Sequence, residues 1–420
     1  MNAVTDIAIN QQRLWDALMD LAKIGATPKG GNCRLALTDL DRQGRDLVVG
    51  WMKAAGLEVT VDRIGNIFGR RAGTNPSLPS VATGSHIDTQ PTGGKFDGCF
   101  GVLAGLEVIR TLQDRGIRTE APLELIIWTN EEGTRFVPVM MGSGVFCNLF
   151  PLEEVLKSKD VDGKTVGDEL QRIGYAGAEP VGHRKLGKYF EAHIEQGPIL
   201  EAEDKVIGVV TGSLGLRWYD VTVTGMEAHA GPTPMPMRRD ALYAASHLMQ
   251  EVVRIALDHA PGGRGTVGVA NVYPASRNVI PGRVSFTVDM RHPDADALAA
   301  MDARLRAACK ALQDGATTGY PVQVDLVDVQ HFPPTPFTPG MVDAVRRQAA
   351  ARGYSHMDIV TGAGHDAVYV ATVSPTAMIF VPCKDGISHN EIEDADPAHL
   401  GAGANVLLGA MLEHAGIAKA

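Results

Sequence analysis

Up to about Leu214, apolar positions along the chain recur at two alternating periods. LWDALMDLAKIG and RQGRDLVVGWMKAAG carry them at the three- and four-residue spacing of a helix with one buried face, and LEVTVDRIGNIFGRR reads as strand, turn, strand. Four later runs of β type each pass at once into acidic residues or histidine: SVATGSHID, LELIIWTNEEG, KYFEAHIEQG and AMIFVPCKDGISHNE. Alternating helix and strand patterns predict an α/β layer structure, and in an open α/β sheet functional groups gather beyond the carboxyl ends of the strands. The pattern therefore aims His86, Glu131, Glu132, His193 and His389 at one sheet edge.

Beyond Leu214 the pattern changes. LRWYDVTVTG alternates like a half-exposed strand, RRDALYAASHLMQEVVRIALDHA is helical, and GTVGVANVYPA and GRVSFTVDMR read as strands. DADALAAMDARLRAACKALQDG is a helix with Leu298, Met301, Leu305, Ala308 and Leu312 on one face, and PVQVDLVDVQ is a closing strand. The order β-α-β-β-α-β is that of a ferredoxin-like unit, and the proline-rich HFPPTPFTPG marks a stiff return. The expectation is a catalytic domain in two pieces, residues 1–212 and 331–420, with an inserted domain over 213–330.

Composition narrows the function. A net charge of −10 argues against nucleic acid or an anionic membrane as partner. Five scattered cysteines, never spaced C-x-x-C, suit a reducing cytoplasm and exclude a thiolate zinc site of the usual spacing. The first residues show no basic-then-apolar segment, and no apolar run approaches the ~20 residues of a membrane span. The expectation is a soluble cytoplasmic protein.

The chemistry lies in GSHIDTQPTGGKFDG, which holds His86, Asp88 and Asp97 in one loop. Singly, each has an ordinary reading: Asp97 as the N-cap of the following helix, Glu131–Glu132 as a solvated charge pair. Jointly, histidines and carboxylates without cysteine suit zinc, manganese or cobalt. A two-metal site needs a carboxylate that binds through both oxygens, and Asp97 in its glycine-lined loop is the natural bridge. Adjacent residues on an extended backbone point apart, so one of Glu131 and Glu132 serves as ligand and the other as general base. Asp88 is placed to accept the proton on the free nitrogen of His86 and fix its tautomer.

Together with TNEEGTRF, HIEQGPILE, GMEAHAGPTPM, RNVIPGRVSFTVDMRHP, GAGHDA and ISHNEIE, this segment resembles the dinuclear-metal amidase/hydantoinase/carbamoylase family, within the aminoacylase and metallo-exopeptidase group. That family includes N-carbamoyl-L-amino-acid hydrolase, β-ureidopropionase and allantoate amidohydrolase. The resemblance implies a zinc-peptidase-like α/β catalytic domain, its mixed sheet flanked by helices, with an inserted α+β lid that also forms a homodimer. It implies two divalent ions per subunit, Zn²⁺ foremost, with Mn²⁺, Co²⁺ or Ni²⁺ as alternatives. One ion falls to His86, Asp97 and His193, the other to Asp97, Glu132 and His389, with Glu131 left as base. Gln196, Asn278, Arg291 and Gly364 become substrate contacts, and His229 polarises the substrate carbonyl from the neighbouring subunit. The implied reaction is hydrolysis of N-carbamoyl (ureido) acids to the amino acid, CO₂ and ammonia. Allantoate or ureidoglycolate hydrolysis, an aminoacylase or dipeptidase, and a catalytically inactive metal-binding scaffold are the alternatives. An intact Glu131 speaks against the last. His365–Asp366 reads as structural.

Overall fold

The computed structural model describes residues 6–419, which divide into two compact units. The first comprises the chain up to Thr211 together with Phe337 onwards; the second runs from Gly212 to Pro336. Each has its own apolar core.

The first unit is built on a mixed sheet of β1 (Glu58–Val61), β2 (Ile67–Arg71), β3 (Ser80–His86), β4 (Leu123–Trp128), β5 (Leu186–Ile194), β6 (Ile207–Ser213), β7 (His356–Thr361) and β8 (Thr376–Val381). The strands lie in the order β1-β2-β4-β3-β5-β8-β6, with β7 also paired on β6. The middle four, β4, β3, β5 and β8, are mutually parallel. β1, β2 and β6 join antiparallel at the flanks. A parallel strand is covered on both faces, which is why SVATGSH, LELIIW and TAMIFV are buried at every residue. The cover includes α1 (Gln11–Ala22), α2 (Asp39–Ala54), α3 (Cys99–Asp114), α4 (Pro339–Ala351) and α5 (Pro397–Ala415). Helix starts follow from local chemistry: Asn10 and Thr38 accept from the Arg13 and Asp41 amides, and Pro397 opens α5 behind Asp396. Gly403 of α5 lies so close to β8 that a Cβ would sit 2.5 Å from Val381 Cγ1. Because the four central strands share a direction, their carboxyl ends form one edge.

The second unit is an antiparallel sheet in the order 270–273, 283–292, 215–224, 323–332, the ferredoxin-like arrangement. Helices Ala241–Asp258 and Ala295–Gln313 pack on one face around Tyr219, Val221, Phe286, Leu248 and Leu305. GTVGVANVYPA departs from the expected single strand and forms two, Arg264–Thr266 and Ala270–Tyr273. Thr266 pairs with Asp289 and Ala270 with Phe286, so one extra residue lies between the pairs, as in a β-bulge. The chain re-enters the first unit at Phe337, within HFPPTPFTPG and later than the expected boundary at residue 331. The strand from Gln323 runs on through Phe332, past the start of that segment.

Candidate metal centre

β3 ends in His86, opposite Trp128 of β4, and β5 brings His193 opposite Phe380 of β8. The Nδ1 atoms of the two histidines lie 2.9 Å from the main-chain oxygens of Asp88 and Ile194. A carbonyl only accepts, so each Nδ1 carries a proton, and each Nε2 is the atom left to offer a lone pair to a cation when the ring is neutral. Those Nε2 atoms face one oxygen of Asp97, at 3.6 Å from His86 and 3.2 Å from His193, and the Gly98 amide also donates to His193 Nε2. The other Asp97 oxygen lies 3.3 Å from His389 Nε2, which is itself 3.4 Å from Glu132 Oε2. Two clusters, His86–Asp97–His193 and Asp97–Glu132–His389, thus share one carboxylate. The first is fully buried; in the second His389 is half exposed and holds a left-handed backbone (φ +52°).

Glu131 and Glu132 follow β4 in a turn with positive φ at Asn130 and Gly133. Their side chains diverge, Glu131 Oε2 to 3.5 Å from His86 Nε2 and Glu132 towards His389. Asp88 departs from expectation. Its main-chain oxygen, not its carboxylate, holds the His86 ring, and the nearest carboxylate oxygen stands 3.9 Å from Nδ1. The carboxylate instead accepts from the amides of Glu131 and Glu132, at 3.3 Å each. The physical reason is that these amides, leaving a buried strand end, need an acceptor inside the protein.

The electrostatics are those of crowded carboxylates whose ion-pair partners are imidazoles. Burial pushes Glu131 well above the usual carboxylate range; Asp366, Glu132 and Asp97 push the same way, against His86. Burial and the nearby Asp97 raise Glu132 to about 7. Burial would also raise Asp97, but hydrogen bonds from His193, His389 and His86 hold it well below its ordinary value. For His86, burial opposes the charged form, and Glu131, Asp97 and Asp88 overcome it and raise the imidazole. Oxygen and imidazole donors, Nε2 atoms turned inward and crowded carboxylates fit two divalent cations sharing Asp97.

A third grouping, Glu191–His193–His365, is already satisfied internally. Glu191 accepts from Ser85 Oγ and the Ala367 amide, and His365 Nε2 lies 3.0 Å from Thr361 Oγ1 with its ring against His193. Burial first, then His193, holds the His365 pKa well below the ordinary imidazole value. Asp366 accepts from Ser143 Oγ.

Gln196 donates to Asp97 Oδ2 at 2.8 Å. Gly364 lines a cavity of about 150 Å³ with Met140, Val139, Glu131 and His389. His229, Asn278 and Arg291 lie in the second unit. His229 is exposed on a two-residue strand paired with Val279–Ile280, its Nδ1 accepting from the Gly231 amide. The Asn278 main-chain oxygen accepts from the Ala230 amide beside it. Arg291 forks onto Asp289, with contacts of 3.0 Å and 2.7 Å. Residues that sequence reasoning passed over also border the centre. Gln90 donates to Glu132 Oε2 at 2.6 Å, and Glu393 accepts from the Asp97 amide at 3.1 Å. Both stand inside the quoted motifs, in SHIDTQP and ISHNEIE, which was the available signal.

The sequence profile of peptidase family M20/M25/M40 matches residues 82–413. An N-carbamoyl-L-amino-acid amidohydrolase of Rhizobium meliloti is 50% identical over 411 residues, 98% of this chain and 98% of its own. An allantoate amidohydrolase of Bacillus subtilis is 33% identical over 390 residues, 92% of this chain and 93% of its own. The crystal structure of an amidase of the hydantoinase/carbamoylase family from Burkholderia multivorans is similar at a TM-score of 0.94 and 61% identity, covering 98% of this chain and 99% of that one.

Proposed function

We propose, from the premise that this chain belongs to peptidase family M20/M25/M40, that it is a metal-dependent amidohydrolase of N-carbamoyl amino acids. The observation that carries the reading is the shared carboxylate. Asp97 turns one oxygen to His86 and His193 and the other to His389, while the neighbouring Glu131 is free of the second cluster. In this reading His86, Asp97 and His193 hold one divalent ion, and Asp97, Glu132 and His389 the other, with Zn²⁺, Mn²⁺ or Co²⁺ each compatible with the donor set. Such ions, when bound, lower the pKa of an attacking water and polarise the ureido carbonyl.

The chain's own residues do the rest. Glu131 takes the proton of the attacking water and passes it to the departing nitrogen. Its burial keeps that proton exchange away from bulk solvent. The bond from the ureido carbon to the amino acid's nitrogen breaks, and the carbamate released decomposes to CO₂ and ammonia. Asp88 holds the Glu131 and Glu132 amides through its carboxylate and the His86 ring through its carbonyl, so one residue orients base and ligands together. Arg291, with its planar fork, and Asn278 receive the substrate's carboxylate, with Gln196 and Gly364 as further contacts. His229 steadies the oxyanion from the partner subunit of a homodimer.

Ammonia release from several N-carbamoyl-L-amino acids, N-carbamoyl-β-alanine and allantoate, with metals added back, tests the reading. Turnover of the carbamoyl amino acids is expected. Turnover of allantoate alone would move the assignment to the branch that the Bacillus subtilis relative represents. No ammonia from any of them would refute it.

A further inference from the structure

We propose that Glu393 is a positioning residue that fixes the spacing of Asp97 and His389 and thereby the affinity for the second ion; the inference rests on the two-ion reading above. Glu393 is buried, at 1% exposure, on the segment that follows β8. One of its oxygens accepts from the main-chain amides of Phe96 and Asp97, at 2.9 Å and 3.1 Å. The other accepts from Ser388 Oγ at 2.8 Å. That hydroxyl also lies 3.1 Å from Asp97 Oδ2 and receives Gln196 Nε2 at 3.2 Å. A single carboxylate therefore ties the loop of the bridging aspartate to the residue preceding His389. The loop is closed around it, since a Cβ on Gly94 would fall 2.0 Å from the Glu393 carboxyl. The clamp has strain to hold against, because His389 sits at φ +52°, a left-handed conformation that a side-chain-bearing residue keeps only where its surroundings impose it. His86 and His193 need no such tie, standing on buried strands whose neighbours fix them.

Two substitutions separate connectivity from charge. Glu393→Gln keeps an oxygen for both amides and offers an NH₂ to Ser388, whose proton then turns to Asp97. Glu393→Ala leaves two buried amides without an acceptor and frees Ser388. Zinc titration calorimetry of metal-free protein, with a competing chelator and a thermal melt of each variant, reads the result. Glu393→Ala is expected to weaken the second ion about 10–100-fold, the usual loss for a residue behind the ligands, with the first ion changed less and Glu393→Gln within about threefold of the parent. Rescue by Gln is the signature of positioning. A purely structural role would lower the melting temperature and leave both affinities alone, which would overturn the proposal, as would Gln failing as badly as Ala. If the Ala variant does not fold, Ser388→Ala takes its place, and an unchanged second affinity there overturns the proposal. A parent protein that takes up one ion only would instead refute the two-ion reading itself, and the proposal with it.

Discussion

Gly98→Ala is the sharpest test of how the Asp97 loop is built. Gly98 has φ +64° and lies against His86, where an added Cβ would stand 2.4 Å from Cε1 and Nε2 of the ring and 2.5 Å from Cδ2. Ordinary Cβ contacts begin at 3.4 Å, so loop and ring must part by about 1 Å. Neither yields easily. The ring is pinned by the Asp88 carbonyl at 2.9 Å, and the Gly98 amide is engaged with His193 at 3.0 Å. The backbone conformation adds about 1–3 kcal/mol for a residue with a side chain, and the overpacking a similar amount. The metal-free protein is thus expected to lose on the order of 2–6 kcal/mol, and a displacement of about 1 Å at a ligand should weaken binding of the first ion by about 10²-fold. Calorimetric melting and dialysis against chelator-buffered Zn²⁺ measure the two effects separately. Gly50→Ala is the control, because Gly50 lies in α2 with nothing within 4 Å of the added Cβ, and that change should stabilise by about 0.5–1 kcal/mol. Parental stability and parental zinc affinity in Gly98→Ala would refute the account of the loop.

Three further outcomes are expected. Chelation should abolish ammonia release, and Zn²⁺, Mn²⁺ or Co²⁺ should restore it; full activity in metal-free protein would remove the metal from the reaction. Glu131→Gln should keep both ions and lose about 10²–10⁴-fold in turnover, whereas loss of an ion would show that Glu131 and Glu132 exchange roles. Glu131→Ala and His229→Ala proteins, each inactive alone, should recover about a quarter of parental activity when refolded together, since about half the dimers are mixed and one site in each is intact. Mixed dimers with no activity would place His229 in its own subunit's site.

Most of this centre was legible because it obeys local rules. A β-type run that breaks abruptly into acid or histidine identifies a strand's carboxyl end, and SVATGSHID, LELIIWTNEEG and KYFEAHIEQG all fold that way. The ferredoxin-like unit was legible for the same reason, its periods being those of half-buried strands and one-faced helices. What escaped was fixed by partners remote in the chain. Glu393 meets the Asp97 amide across an interval of 296 residues, and no period records that. The duty of Asp88 was misread because sequence displays side chains, while the contact to His86 is made by a carbonyl. The bulge in GTVGVANVYPA escaped too, since one surplus residue shows only against the partner strand.

The spread of the candidate ligands along the chain, from His86 to His389, follows from the sheet. Parallel strands cannot be joined by tight hairpins, so each return to the same edge requires a crossover of a dozen residues or more. β3 arrives first and β4, β5 and β8 make three such returns, delivering in turn His86, the Glu131–Glu132 pair, His193 and, one loop further on, His389. The entropy of gathering such distant groups is met by burying the strands, not by the centre itself. That division lets the centre keep what a stable core would exclude, namely carboxylates driven together until Glu131 and Glu132 hold their protons above the usual range. Such crowding costs stability in the metal-free chain and is relieved by divalent cations, so the same electrostatics that burden the fold make the edge a place for metal and for a base beside it.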